Sequence, residues 1–331
     1  MKRKRLAIIS ATGTARKRTM PAIRDAKICD VVGVHGRDES KLAALAKEHG
    51  VPEYSTDAGV LLDRVKPDFV FIGSPPHLHR EQIQLCLDRE IPVLCEKPLA
   101  LTLKDAIAID AAVVKARVPV RVAHHLRHQP GVAALRKIIG DAEPGRLRRA
   151  SMQWAFWLNE AATNATWKLD PSKGGPNAFF DAGIHTIDLM QYLLPPARRI
   201  TALASGGRFA EVFDSVAALI LCGETLVEVS TSQSIRHPRN DLVLDFEQST
   251  VVAPRLFSEA SLSSLTVTDG EGVREEQFEI VNPYGEEIKD FVRFLEGATS
   301  IATTTTDACS GLAILEAIHQ SYSTGTTVEI N

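Results

Sequence analysis

The chain has 331 residues, 44% of them hydrophobic and 24% charged, with a net charge of −3. That length points to about two globular domains, and that charge argues against a polyanionic partner such as a nucleic acid. Five scattered cysteines without a C-x-x-C pair argue against a disulfide framework or a structural zinc site, so the expected location is a reducing cytoplasm. The basic cluster from Lys2 to Arg5 runs into Leu6-Ala7-Ile8-Ile9, an apolar run too short for a signal sequence or a membrane span.

From Arg5 to about Ala123, short apolar runs alternate with longer amphipathic ones, the pattern of a parallel sheet wrapped by helices. Strands are predicted at 6–10, 31–35, 69–73, 93–95 and 118–123. Helices are predicted at 39–49, with Leu42, Leu45 and Ala46 at helical spacing, at 80–88 and at 103–116. Crossovers of that length are what parallel strands need. After Pro130 a helix is predicted at 132–139, then strand-like runs at 147–157, 199–204, 216–221, 225–232 and 242–246, close enough in sequence for antiparallel pairing. Helices at 184–194, 285–295 and 308–322 and a last strand at 326–330 complete the pattern. The expectation is an α/β chain: a dinucleotide-binding (Rossmann) domain over 1–123, with a doubly wound parallel sheet, and an α+β domain over 124–331 for substrate binding and oligomerisation.

The first strand leads into Ser10-Ala11-Thr12-Gly13-Thr14-Ala15, where a dinucleotide fold carries G-x-G-x-x-G or G-x-G-x-x-A. Ser10 and Thr12 stand at the first two glycine positions, and Ala15 keeps the third small residue. A β-branched Thr12 must be steered aside for the backbone to approach a pyrophosphate. The helix that follows still offers amide groups and a dipole to phosphate, and Arg16, Lys17 and Arg18 add charge. Gly36 stands where a site specific for NAD places a carboxylate on the ribose. Arg37, helped by Lys41, is placed to pair with a 2′-phosphate, which favours NADP(H) over NAD(H), the latter remaining possible.

The strand at 69–73 opens into Gly73-Ser74-Pro75-Pro76-His77-Leu78-His79, a rigid loop at the edge where open α/β sheets bind ligands; Ser74, Pro75 and His79 are its cofactor-binding candidates. The strand ending at Cys95 is followed by Glu96-Lys97-Pro98, a charged pair leaving a buried strand, which is costly unless partnered or facing a cleft. With this E-K-P motif the chain resembles the Gfo/Idh/MocA family, which includes glucose-fructose oxidoreductase, inositol dehydrogenase and related sugar dehydrogenases. The resemblance implies that Lys97 lies beside the nicotinamide and the reacting hydroxyl or carbonyl, that Glu96 belongs to the same cofactor-binding edge, and that the Lys97-Pro98 bond is cis.

A second motif is Gly174-Gly175-Pro176 followed by Asp181, His185 and Asp188, which on a helix would share one face at i, i+4 and i+7. The stretch is similar to the family's D-x-G-x-H-x-x-D pattern, and Trp167-Lys168-Leu169-Asp170-Pro171 is similar to the family's approach to the site. By that resemblance His185 exchanges the proton and Asp181 binds substrate or orients His185, with Trp167 and Arg127 as further substrate contacts. Asn282-Pro283-Tyr284 and Ala317-Ile318-His319-Gln320-Ser321 extend the likeness over nearly the whole chain. His124-His125-Leu126-Arg127-His128 departs from it, since many relatives carry an aromatic residue and asparagine before the arginine; these histidines either line the pocket or end the linking strand.

The implied activity is reversible hydride transfer between nicotinamide C4 and a secondary alcohol or ketone of a sugar, cyclitol or sugar derivative, without a metal, in a homodimer or homotetramer built on a large, mostly antiparallel, open-faced sheet. Three rivals stay open: a non-catalytic NADP(H)-binding regulator, favoured by the altered phosphate loop; a reductase of a nucleotide-linked keto-sugar or a biliverdin-like tetrapyrrole; and a purely structural interaction protein, which gains support only if no nucleotide binds.

Overall fold

The computed structural model describes residues 3–161 and 165–330; Lys2 of the basic cluster lies outside them. The described chain divides into two compact units, one of Met1–His125 with Tyr284–Cys309, the other of Leu126–Pro283 with Ser310–Asn331. Where the sequence reading divides the chain once, after Ala123, the first unit also takes in His124, His125 and a later segment.

In chain order the first unit contains β1 (Lys4–Ile9), α1 (Met20–Ala26), β2 (Cys29–His35), α2 (Glu39–His49), β3 (Glu53–Ser55), α3 (Ala58–Val65), β4 (Phe69–Ile72), α4 (His79–Leu87), β5 (Val93–Glu96), α5 (Leu103–Ala116) and β6 (Val120–Ala123). The sequence reading missed only the small β3 and α3 here. The helix limits have local causes. Asp38 caps α2 by accepting from the Lys41 amide, and Gly50 ends it in the left-handed region; Thr102 caps α5 through the Asp105 amide. All four residues of β4 are buried, as are Val93, Leu94 and Cys95 of β5, which is why these strands read as continuous apolar runs. The sheet order β6-β5-β4-β1-β2-β3 is parallel throughout. Strand order reverses between β1 and β4, the switch point at whose carboxyl edge such sheets bind dinucleotides.

The second unit begins with α6 (Pro130–Gly140), β7 (Leu147–Ala155), α7 (Ala165–Lys168), α8 (Pro171–Gly174) and α9 (Gly183–Leu193). It continues through β8 (Ala197–Ser205), β9 (Ser215–Cys222), β10 (Thr225–Ser232), β11 (Leu242–Phe246), β12 (Ser249–Ala253), β13 (Ser264–Asp269) and β14 (Gly272–Gln277). Then α10 (Pro283–Leu295) and β15 (Thr303–Thr304) return to the first unit, where Ile288, Phe291 and Val292 of α10 join the core of Leu6, Ile8, Phe69 and Phe71 and β15 adds an antiparallel edge strand to β6. After α11 (Thr305–Thr324), β16 (Val328–Glu329) closes the chain.

The second sheet has nine strands in the order β14-β13-β12-β11-β7-β10-β9-β8-β16. Every pairing is antiparallel except β7 with β10. Alternating burial along β8, β9 and β10 shows one covered and one open face, and α9 packs against β7 and β10.

Candidate active site

On the first unit the residues that stand in for glycines behave as the turn requires. Ser10 adopts φ 61°, the left-handed conformation for which glycine is the default, and its amide hydrogen points at His35 Nδ1, 3.3 Å away. The next amide, of Ala11, donates to the His35 carbonyl at 2.8 Å. Thr12 is exposed, and its methyl lies 3.5 Å from the place a Cβ at Gly36 would take, with Leu42 at 3.2 Å on the other side. The threonine side chain is thus turned toward the space that the missing side chain of Gly36 leaves open. Ala15 is buried, and a Cβ at Gly73 would stand 3.2 Å from its methyl; this is the close helix-to-strand approach that explains the third small residue. Thr14 precedes a π-turn over Ala15–Thr19 that runs into α1, and Gly13 is exposed with open space about it.

The basic residues of this edge are mostly engaged. Arg16 pairs with Glu48 at 2.7 Å and Lys41 with Asp38 at 3.0 Å, both on the surface, where such pairs are worth about 0–1 kcal/mol and exchange readily for a phosphate. Arg37 is exposed and makes no ion pair among the described residues. Across the switch point the Ser74 hydroxyl donates to Gln82 Oε1 at 2.6 Å, Pro75 is extended, and the His79 ring is wholly buried, so it presents no surface to a ligand. At the end of β5 the Lys97 amide donates to Glu96 Oε2 at 3.2 Å. Lys97 is partly exposed, and the Lys97-Pro98 bond is cis, as the family resemblance implies.

On the second unit the glycine pair has a steric cause. A Cβ at Gly174 would meet the Trp167 carbonyl at 2.7 Å, and Gly175 combines φ 91° with the Phe180 ring, 2.3 Å from any Cβ. This turn delivers Asp181 to the end of a short 3-10 segment, Ala178–Phe180. The shared helical face expected for Asp181, His185 and Asp188 is corrected here: α9 starts only at Gly183, where the Phe179 ring would stand 2.2 Å from a Cβ, so Asp181 lies outside the helix.

The three groups have separate surroundings. Asp181 accepts from Lys168 Nζ at 2.8 and 2.6 Å and from Gln233 Nε2 at 3.2 Å. Lys168 Nζ in turn lies 5.7 Å from the ring centroids of both Phe156 and Trp167, an aromatic and charged surround of the kind polyols bind. His185, 5% exposed, stacks on Trp154 with centroids 4.5 Å apart. Asp188 takes a bidentate pair from Arg127 at 2.9 and 2.7 Å, both side chains buried, with the guanidinium over Tyr192. His124, His125 and His128 are all buried, and His125 stacks on Tyr284. Lys168 stands in the Trp167–Pro171 stretch that resembles the family's approach to the site, but nothing in spacing tells that it meets Asp181, and Gln233 carries no signal beyond residue type. No group of three metal-ligating side chains occurs among the described residues.

A Rossmann sheet with a strand-to-helix turn at its switch point, together with a second unit that holds a histidine and a carboxylate beside aromatic rings, defines the class of two-unit nicotinamide-dependent oxidoreductases. Residues 4–124 match the model of the oxidoreductase family with an NAD-binding Rossmann fold, and residues 132–252 match that of the GFO/IDH/MocA C-terminal domain. The chain belongs to the Gfo/Idh/MocA family of oxidoreductases. It is 26% identical to 1,5-anhydro-D-fructose reductase of Ensifer adhaerens over 330 residues, covering 98% of each chain. It is 25% identical to an NADP(+)-linked D-xylose 1-dehydrogenase of Haloferax volcanii over 98% of this chain and 99% of that one. Among solved structures, the aldose-aldose oxidoreductase of Caulobacter crescentus with glycerol superposes with a TM-score of 0.90 at 21% identity, over 99% of this chain and 100% of that one. A levoglucosan dehydrogenase with NADH and levoglucosan superposes with a TM-score of 0.89 at 20% identity over the same shares.

Proposed function

We propose that this chain transfers a hydride between nicotinamide C4 and a secondary alcohol or ketone of a neutral sugar or sugar derivative, with NADP(H) preferred. The observation that carries the reading is the left-handed turn at Ser10 after the first strand of a Rossmann sheet, with Lys97 following β5 of the same sheet; the second unit, taken by itself, adds the carboxylate of Asp181 and the imidazole of His185. The relatives named above act on anhydro-, aldose- and xylose-type substrates, and the aromatic rings beside Lys168 and Asp181 suit the apolar face of a pyranose.

When bound, the nicotinamide supplies or accepts the hydride. Ser10, Thr12, Gly13, Thr14 and Ala15 would hold the pyrophosphate with backbone amides, Arg16 adding charge. Gly36, Arg37 and Lys41 would receive the ribose and its 2′-phosphate. Ser74, Pro75, Glu96 and Lys97 form the rest of the cofactor edge. Lys97 stabilises the negative charge that develops on the reacting oxygen, and His185 exchanges the proton, its ring orientation fixed by Trp154. Asp181, loaded with Lys168 and Gln233, presents a fixed carboxylate to substrate hydroxyls beside Trp167. Arg127 acts through Asp188 by holding the start of the second unit against α9. The free cysteines accord with a reducing, cytoplasmic setting, and no described helix is long and apolar enough to cross a membrane.

The test is binding of NADPH and NADH by quenching of tryptophan fluorescence, wild type beside Arg37→Asp, followed by a carbonyl and polyol panel that includes D-xylose, levoglucosan and 1,5-anhydro-D-fructose. A preference for NADPH that Arg37→Asp abolishes is expected. Tight binding without turnover on the panel would favour a regulator, and no binding of either nucleotide would end the enzyme reading.

A further inference from the structure

The loop after β4 and the segment after β5 are joined by one side chain. His79, the first residue of α4, is 0% exposed. Its Nε2 lies 2.9 Å from the Ser74 carbonyl oxygen, and its Nδ1 lies 3.0 Å from that of Pro98 and 3.2 Å from that of Leu99. All three neighbours are acceptors. A neutral imidazole has one N–H to give: Nε2–H to Ser74, or Nδ1–H shared between Pro98 and Leu99. Burial pushes the ring down to about 4, against the pull of the carbonyls, so the ring stays neutral near pH 7 and remains wedged between two stretches of backbone. The Ser74 side is itself anchored, its hydroxyl bonded to Gln82 of α4. The Pro98 side is the residue that follows Lys97. A surface histidine would leave this backbone to water; here the ring is what the two segments meet through.

We propose that His79 is the positioning residue for Lys97: its ring fixes the Pro98-Leu99 backbone against the loop after β4 and so sets where the Lys97 ammonium stands. This rests on the role given to Lys97 above. The alternative is a core histidine whose loss lowers stability and nothing else.

Trace acetylation of the full chain with acetic anhydride, over about pH 7 to 11 around the ordinary lysine range, read by peptide mass spectrometry, reports the amine of Lys97 against the exposed Lys104 and Lys115 on α5. In His79→Phe, which keeps a ring and loses both nitrogens, the Lys97 midpoint is expected to move by about half a pH unit or more, a factor of about three in the labelled fraction, with Lys104 and Lys115 unmoved. His79→Gln, whose amide can still donate to these carbonyls, is expected to restore the wild-type profile. If His79→Phe does not fold, His79→Leu serves with the same readout. An unchanged Lys97 profile in a folded variant lacking the imidazole overturns the proposal. Nucleotide binding is not needed for this measurement, so a wild type that binds neither NADPH nor NADH would sink the hydride-transfer reading while leaving the Lys97 profile to decide the role of His79.

Discussion

Lys97 follows a strand whose Val93, Leu94 and Cys95 are buried, and its backbone amide donates to Glu96 Oε2. A cation that stabilises a developing alkoxide acts more strongly in the transition state than in the bound complex. Lys97→Met is therefore expected to lower single-turnover hydride transfer by about 10²–10⁴-fold, with NADPH affinity within about twofold, on a sugar that the panel identifies; turnover at the wild-type rate would remove the assignment. His79 makes a separate, thermodynamic prediction. Unfolded, a histidine titrates near 6.5, whereas this one is held at about 4. Between those values the unfolded chain binds more protons, so the contribution of the neutral ring is fully present above about pH 6.5 and is lost as the pH falls toward about 4. From pH 7 to pH 5 this amounts to about 2 kcal/mol. The urea midpoint of wild type should fall over that interval by more than that of His79→Gln, and parallel curves would show that the ring carries no such burden.

The helices and strands of this chain rest on caps and buried pairs whose loss is measurable element by element. Arg127 reaches Asp188 on α9 by two hydrogen bonds between buried side chains, and removing one partner takes this bidentate pairing from the other buried charge. Asp188→Ala is expected to cost about 3–5 kcal/mol in urea unfolding, and the same change should be far milder if Arg127 is replaced by Met alongside it. Elements with a clean period were legible in the sequence: β11 and most of β10 alternate buried with less buried residues, and their limits match the reading residue for residue. Others carried no period to read. β14 is exposed at every position, β3 has only three residues, and β12 and β13 went unread although they complete the sheet. At the site, motif residues were legible because sequence spacing carries them. The Asp181 to Lys168 pair was not, because it depends on a turn forced by Phe180 and Gly175, and the i, i+4, i+7 spacing suggested a shared helical face that Asp181, lying before the start of α9, does not join.

At the scale of the whole molecule, the nine-stranded sheet leaves two kinds of surface to solvent. Its outer strand β14 carries Arg274, Glu275 and Glu276, charges that discourage edge-to-edge pairing. Its open face instead shows Leu203 at 77%, Leu219 at 47% and Leu226 at 42% exposure on neighbouring strands, an apolar stripe of the sort that marks an interaction surface. We infer a homodimer or homotetramer through this face. Light scattering after gel filtration is expected to give a multiple of the 331-residue mass, and Leu203→Glu with Leu219→Glu should return a monomer; a monomeric wild type would dismiss the interface. The return of residues 284–309 to the first unit bears on how the protein is made. On the ribosome the nucleotide-binding sheet is translated first, yet Ile288, Phe291 and Val292, which cover Phe69 and its neighbours, emerge only near the end. At about 5–20 residues per second, the early part of the chain waits with its apolar face open for many seconds of synthesis, so a nascent chain stalled before α10 is the form that chaperones would be called on to hold.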